Sequence, residues 1–383
     1  MALHKTDIAN EGAYAVAGAA SIPTPALLIY PDFVDANIRA VLAQCGGDAS
    51  AWRPHVKTAK VADVMARYLA HGITQFKCAT TKELRTLLEL GAPDVLLAFP
   101  VVGATAARVR ALAAAHPATR VSVLVESAEY PEPYKNSHIG VFIDCNPGMD
   151  RTGRDPTDVN AVAALARRIA ELGCEFRGIH WYDGHLHIDD LKERERVAHE
   201  GYDRLVALVS GLWSLGLAVK QTIVAGTPAA PCALSYARWN EIGGRAQISP
   251  GTVVFNDTTS LEQLPASWGL VPAALVLASV VSHPREARVT CDAGHKSVSA
   301  DAGVPTCAVL GHPDWVPTRP SEEHLPIDVP TDRDAPSLGS TLLLLPRHIC
   351  PTINNFDEAL FVRNGRVERA VAVTARGHDG VGG

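Results

Sequence analysis

From about residue 25 to about residue 265, short apolar runs alternate with stretches whose apolar positions recur at helical spacing. "ALLIY" precedes "DFVDANIRAVLAQC", "ASAWRPHVKT" precedes "KVADVMARYLAHG", and "TQFKCA" leads into "TKELRTLLELG". "DVLLAFPV" comes before "ATAARVRALAAAH", then "VSVLVES" and "GVFIDCN" before "DPTDVNAVAALARRIAELG". "EFRGIHWYD" precedes the long pattern "RERVAHEGYDRLVALVSGLWSLG", and "QTIVAG" and "AQISPG" close the series. The helical stretches start at Asp, Thr or Ser and end at Gly, as side-chain N-caps and left-handed C-caps require. Roughly eight β/α repeats in this length is the spacing of a TIM-type (β/α)8 barrel. A doubly wound sheet is the competing topology.

After Pro272 the texture changes. "AALVLASVVSHP", "ARVTCDAG", "TCAVLGH", "STLLLLP" and "EALFVRNGRVERAVAVTARG" read as short strands separated by turn residues. "RNGR" predicts a hairpin, because Asn-Gly supplies the two positive φ angles of a type I′ turn. The Pro-rich stretch 313–337 reads as an irregular loop. The expected fold class is therefore α/β, with a (β/α)8 barrel over 25–268 and a β-rich domain made of 1–24 and 269–383.

Composition narrows the function. At 383 residues the chain is long for one core, and its 47% hydrophobic and 20% charged residues are ordinary for a globular protein. A formal net charge of -6 leaves no basic footprint for nucleic acid. No apolar run is long enough to span a bilayer, and the acid-bearing N-terminus lacks a signal-peptide core. Eight cysteines without a CxxC pair fit a reduced, cytoplasmic protein.

Two short stretches carry candidate chemistry. In "WRPHVKT", Lys57 ends an apolar run, at what would be the active-site mouth of a barrel. A lysine beside Arg53 and His55 is placed for Schiff-base chemistry, since neighbouring cations and partial burial favour a free amine. A plain surface lysine is the alternative, and Lys60 and Lys77 are read that way. In "LLLLPRHICPTINNFD", His348 and Cys350 stand two apart, so an extended chain would point both to one side. An imidazole and a thiol there could hold a metal, although two ligands fall short of a closed structural zinc site.

"RPHVKT" resembles the pyridoxal-lysine motif of the D-threonine aldolase and D-serine dehydratase group, fold-type III enzymes whose barrel is related to that of alanine racemase. Further stretches in the same order resemble that group: "DCNPGMDRTG" (144–153), "AGTP" (225–228), "SPGTVVFND" (249–257), "CDAGHKSVSADAG", "SEEH" and "HICPTINNFDEALFVRNGRVE". The resemblance implies pyridoxal 5'-phosphate on Lys57, with His55, Arg151 and Tyr182 about the ring. It assigns Gly226, Thr227, Gly251 and Thr252 to the cofactor phosphate, where glycines and hydroxyls let backbone N–H groups approach an anion. It makes His348 and Cys350 ligands of a divalent metal, with zinc favoured by the thiolate over manganese or magnesium.

Aldolases of the group carry His-x-Asp and the dehydratases His-x-Cys, whereas the sequence after Cys350 resembles the aldolase branch. The expected activity is cleavage of β-hydroxy-D-amino acids to glycine and an aldehyde. The alternative is loss of water to a 2-oxo acid and ammonia. The resemblance implies a base histidine, and because "YDGHLH" departs from the group's spacing it leaves His185 and His187 both open, with His187 slightly favoured. His312 and His324 are weaker candidates, and Glu322 and Glu323 are read as solvated. An amino-acid substrate and a homodimer are the expected partners.

Overall fold

The computed structural model describes residues 11–244, 246–330 and 335–380, and the chain divides into two compact units. One comprises Val41–Lys57, Met65–Gly251 and His378–Gly383; the other comprises Met1–Ala40, Thr58–Val64 and Thr252–Gly377. Most of the N-terminal stretch read for a signal peptide, and residues 331–334 of the Pro-rich stretch, lie outside the described residues.

The first unit is built on seven parallel strands adjacent in chain order: Gln75–Cys78, Asp94–Leu97, Arg120–Val125, Gly140–Cys145, Glu175–Trp181, Gln221–Val224 and Gln247–Ile248. Both edges of this sheet bond to the segment 52–56. Arg53 N–H donates to the Ile248 carbonyl at 2.9 Å, while Val56 N–H donates to the Lys77 carbonyl at 2.8 Å. That segment is the first stave of the expected barrel. Pro54 has no N–H to contribute, so the stave pairs through isolated bridges at Trp52 and His55. The helices between strands are capped as their sequences require. Thr80, Asp158 and Asp190 each accept a backbone N–H three residues on.

The floor of the barrel is polar. Arg177 grips both oxygens of Asp94, at 3.1 and 2.6 Å, and Arg53 reaches the same carboxylate at 2.9 Å. Gln75, Gln221 and Gln247 complete the layer. Burial by itself would raise the Asp94 carboxyl, but the two guanidinium groups hold it below the usual carboxylate range. Gly140 makes room: a Cβ there would stand 2.3 Å from Cδ of Arg177. Arg53, expected beside Lys57, is therefore committed to the floor.

The second unit centres on the long strand Ala274–Arg285, antiparallel to Ala26–Ile29, Arg288–Cys291 and Thr341–Pro346. Ala26–Ile29, which the repeat pattern suggested as a barrel strand, lies in this sheet and pairs in parallel with Glu358–Arg363. A short apolar run satisfies either sheet, so its pattern could not choose between them. The four consecutive leucines are explained by alternation. Leu342 and Leu344 enter one apolar cluster while Leu343 and Leu345 enter another, so this strand is covered on both faces. Asn364 and Gly365 form the expected hairpin turn with φ of 51° and 69°. The Pro-rich stretch is not wholly irregular, since Val316–Pro317 and Leu325–Asp328 pair as short strands. Among the described residues, no helix is long and apolar enough to cross a membrane.

Candidate active site

A cavity opens just beyond the C-terminal ends of the barrel staves, with His55, Lys57, Asp144, Arg151, His180 and Tyr182 among its walls. Lys57 follows the first stave, and its N–H donates to His55 Nδ1 at 3.3 Å, which fixes the turn that presents the lysine. Three cations surround the Tyr182 ring. Its centroid lies 5.0 Å from the Arg151 guanidinium carbon, 5.4 Å from Lys77 Nζ and 5.9 Å from Lys57 Nζ.

Lys77, read from sequence as a surface residue, is 2% exposed on the second stave. Burial first, and then the charge of Lys57, pull its pKa from 10.5 down to about 7, against the attraction of Asp183 and Asp144. Its amine stands 3.4 Å from His180 Nε2, and His180 Nδ1 is 2.7 Å from Asp144 Oδ1. Burial and Lys77 hold the imidazole below its usual pKa, so the neutral ring donates from Nδ1 to the carboxylate and accepts at Nε2. The Thr152 hydroxyl closes the chain on Asp144 Oδ2 at 2.8 Å. The motif reading passed over His180, Asp144 and Lys77. The available signal was polar residues inside otherwise apolar strands, "QFKC", "GVFIDC" and "GIHW".

The loops after the seventh and eighth staves hold Gly226, Thr227 and Gly251, and Ser249 N–H donates to the Ala225 carbonyl to join them at 3.0 Å. In TIM-type barrels these two loops commonly bind phosphate. A Cβ at Gly251 would meet the His55 carbonyl oxygen at 2.3 Å, so only glycine fits there. Gly226 N–H, expected to face phosphate, instead donates to Asp183 Oδ1 at 3.2 Å. Asp183 also accepts from Tyr202 at 2.7 Å, and burial pushes its carboxyl up despite both donors. An amine at the mouth, an aromatic ring with a guanidinium over it, and closely approached glycine loops together fit pyridoxal phosphate. Of the two candidate bases, His185 is half-buried beside Gly148, and its Nδ1 is buried without a hydrogen-bond partner among the described residues; His187 is exposed. The first choice made from sequence thus points outward.

In the other unit, His348 and Cys350 are not on an extended strand. The strand ends at Pro346, His348 is the N-cap of helix Ile349–Asn354, and Cys350 is its second residue. Pro346 and the helix that follows break the period-two geometry that the spacing suggested. His348 Nδ1 lies 2.6 Å from Asp301 Oδ2, and Cys350 is within hydrogen-bonding reach of the same ring. Thr58 and Thr252 set their hydroxyls 3.0 and 3.5 Å from the Cys350 sulfur, so Thr252, assigned by sequence to phosphate, has a thiol partner. Thr58 is the residue after Lys57. One imidazole nitrogen held by a carboxylate, with a sulfur beside the ring, is a donor set that fits an open divalent-metal site. Among the described residues, no group of three or more His, Cys, Asp or Glu side chains could hold a metal.

Of the weaker candidates, His312 stacks on Trp315 with centroids 3.8 Å apart, and His324 is exposed. Glu322 and Glu323 pair with Lys296 on the surface. Lys60, also expected at the surface, is buried and donates to the Ala375 carbonyl.

The family model "Alanine racemase, N-terminal domain" matches residues 29–255, and "Putative serine dehydratase domain" matches residues 273–362. A D-threonine aldolase from Arthrobacter sp. is 29% identical over 367 residues, 94% of each chain. A D-threo-3-hydroxyaspartate dehydratase from Delftia sp. is 24% identical over 87% of this chain and 92% of its own. The crystal structure of D-threonine aldolase from Filomicrobium marinum superposes with a TM-score of 0.83 at 27% identity, covering 93% of this chain and 96% of that one.

Proposed function

The chain belongs to the alanine racemase N-terminal domain family across residues 29–255, and on that premise we propose that it is a pyridoxal-phosphate- and divalent-metal-dependent lyase. It cleaves β-hydroxy-D-amino acids to glycine and an aldehyde. The observation that carries the reading is the length of the likeness to D-threonine aldolase, which takes in both the lysine-bearing barrel and the unit with His348 and Cys350.

Pyridoxal phosphate, when bound, supplies an electron sink for charge released at the substrate Cα. Lys57 holds the cofactor at the barrel mouth. Tyr182 and Arg151 would contact its ring, and Thr227 and Gly251 would serve its phosphate. His185, buried at Nδ1 beside the Gly148 turn, takes the proton from the substrate β-hydroxyl oxygen, which breaks the Cα–Cβ bond. His348 and Cys350 hold the divalent cation, with zinc the ion that a thiolate favours. The protein acts as a cytoplasmic homodimer on a free amino acid, with no nucleic-acid or membrane partner. The net charge and the eight cysteines, none in a disulfide among the described residues, support the reduced setting without nucleic acid.

Cys350 and the serine dehydratase domain match favour a second reading. Here Lys57 removes the Cα proton and hydroxide leaves from Cβ as water, and hydrolysis of the released enamine by a second water gives a 2-oxo acid and ammonia. Incubating the holoenzyme with D-threonine, with and without zinc or manganese, separates the two. Glycine plus acetaldehyde establishes cleavage. 2-Oxobutanoate plus ammonia establishes dehydration, and neither product in the presence of bound cofactor refutes both.

A further inference from the structure

We propose that Asp301 is a positioning residue for a divalent cation held by His348 and Cys350, fixing the imidazole so that Nε2 remains for the cation. This rests on the metal-dependent reading above and assigns a function to a residue outside it.

At a helix N-cap, a polar side chain ordinarily turns back to accept a backbone N–H of the first turn. His348 caps Ile349–Asn354 without doing so. Its ring points instead at Asp301, and the 2.6 Å contact to a carboxylate oxygen makes Nδ1 the proton-bearing nitrogen. The lone pair that a cation would use is then the one on Nε2, once the proton there has left. This is the carboxylate–histidine arrangement that orients imidazole ligands elsewhere.

The carboxylate is itself held. Ser299 Oγ donates to Asp301 Oδ1 at 2.8 Å, leaving Oδ2 for the imidazole. Ser299 N–H donates to Thr352 Oγ1 at 3.2 Å, and Thr352 Oγ1 donates to the His348 carbonyl at 2.9 Å. The hydrogen bonds thus form a closed circuit through Asp301, His348, Thr352 and Ser299. The missing N-cap acceptor is replaced by Asp257, whose buried Oδ2 accepts Ile349 N–H at 2.9 Å while Oδ1 accepts Ser260 N–H at 2.8 Å. That bond clamps the peptide between the two donors. Asp301 orients the imidazole and the Thr58 and Thr252 hydroxyls flank the sulfur, so each donor has a partner besides the other.

A surface ion pair explains the same contact without any cation, because the Asp301 side chain is 49% exposed. The two explanations separate on metal affinity. The test uses holoenzyme of the wild type, Asp301→Ala and Asp301→Asn, stripped by chelator and titrated with zinc and with manganese against a chromophoric competitor. The cofactor's visible band and the melting midpoint of the metal-free protein are followed in parallel. We expect Asp301→Ala to bind metal roughly 10- to 100-fold more weakly, with band and midpoint unchanged. Asp301→Asn, which keeps an oxygen acceptor for Nδ1–H, recovers much of that loss. Wild-type affinity in both variants overturns the inference and leaves the lyase reading intact, as does equal loss in both with a lowered midpoint. A wild type that binds neither metal yet keeps its cofactor band and turns over substrate overturns this inference and the metal requirement together, while the pyridoxal lyase stands.

Discussion

Replacing Lys77 with methionine should remove a pH dependence from the stability of this protein. The amine is 2% exposed, and its pKa in the fold is about 7 against an ordinary 10.5. A folded pKa below the unfolded one means that the unfolded chain binds more protons between those two values, so this group makes stability rise with pH across that window. Below pH 7 both states carry the proton, and the cost of the buried charge is constant. The shift of about 3.5 units, at about 1.4 kcal/mol each, corresponds to roughly 5 kcal/mol over the whole window. Methionine keeps the straight chain and cannot ionise. Urea unfolding of wild type and Lys77→Met at several pH values from 7 to 10.5 supplies the test, because the titration of groups distant from Lys77 cancels in the difference. The variant should be the more stable at the low end, with an advantage that shrinks by at most about 1.4 kcal/mol per pH unit towards the high end. A difference that stays flat with pH would show that Lys77 is not a charge-penalised buried amine, and the description of the barrel mouth would fail with it.

Lys57→Ala should bind pyridoxal phosphate without the visible absorption of a lysine-held cofactor; a retained band would assign the covalent link to another lysine. Cys350→Ala should keep that band while losing bound metal and turnover, and full activity in the presence of a chelator would sink the metal assignment. Asp94→Ala leaves two buried guanidinium groups facing each other, which should cost about 3–5 kcal/mol in urea unfolding; a loss under about 1 kcal/mol, the scale of an exposed pair, would mean that the floor network is solvated. Gly251→Ala sets a Cβ within 2.3 Å of the His55 carbonyl. Cofactor affinity should fall because the loop must move, and unchanged affinity would remove this loop from the phosphate site.

The alternation of apolar runs and helical patterns, the caps at Thr80, Asp158 and Asp190, and the Asn-Gly hairpin at 364–365 were legible in the sequence because each is local. A side chain that satisfies a neighbour three residues away, or a turn that needs two positive φ angles, leaves its mark within a few positions. The lysine motif and its companions in order were enough to indicate the barrel and its family. Partner choice across long separations was decided only in three dimensions. Ala26–Ile29 pairs with strands some 250 and 330 residues away rather than with its neighbours in the repeat. Arg53 goes to Asp94 rather than standing beside Lys57, since four residues along a stave separate the floor of the barrel from its mouth. The bond from Gly226 to Asp183, the Lys77–His180–Asp144 chain and the carboxylate on His348 join residues whose separations carry no period. Sequence patterns record which face of an element is apolar; which polar groups meet inside depends on how the elements pack, because buried donors and acceptors must find partners wherever the fold brings them.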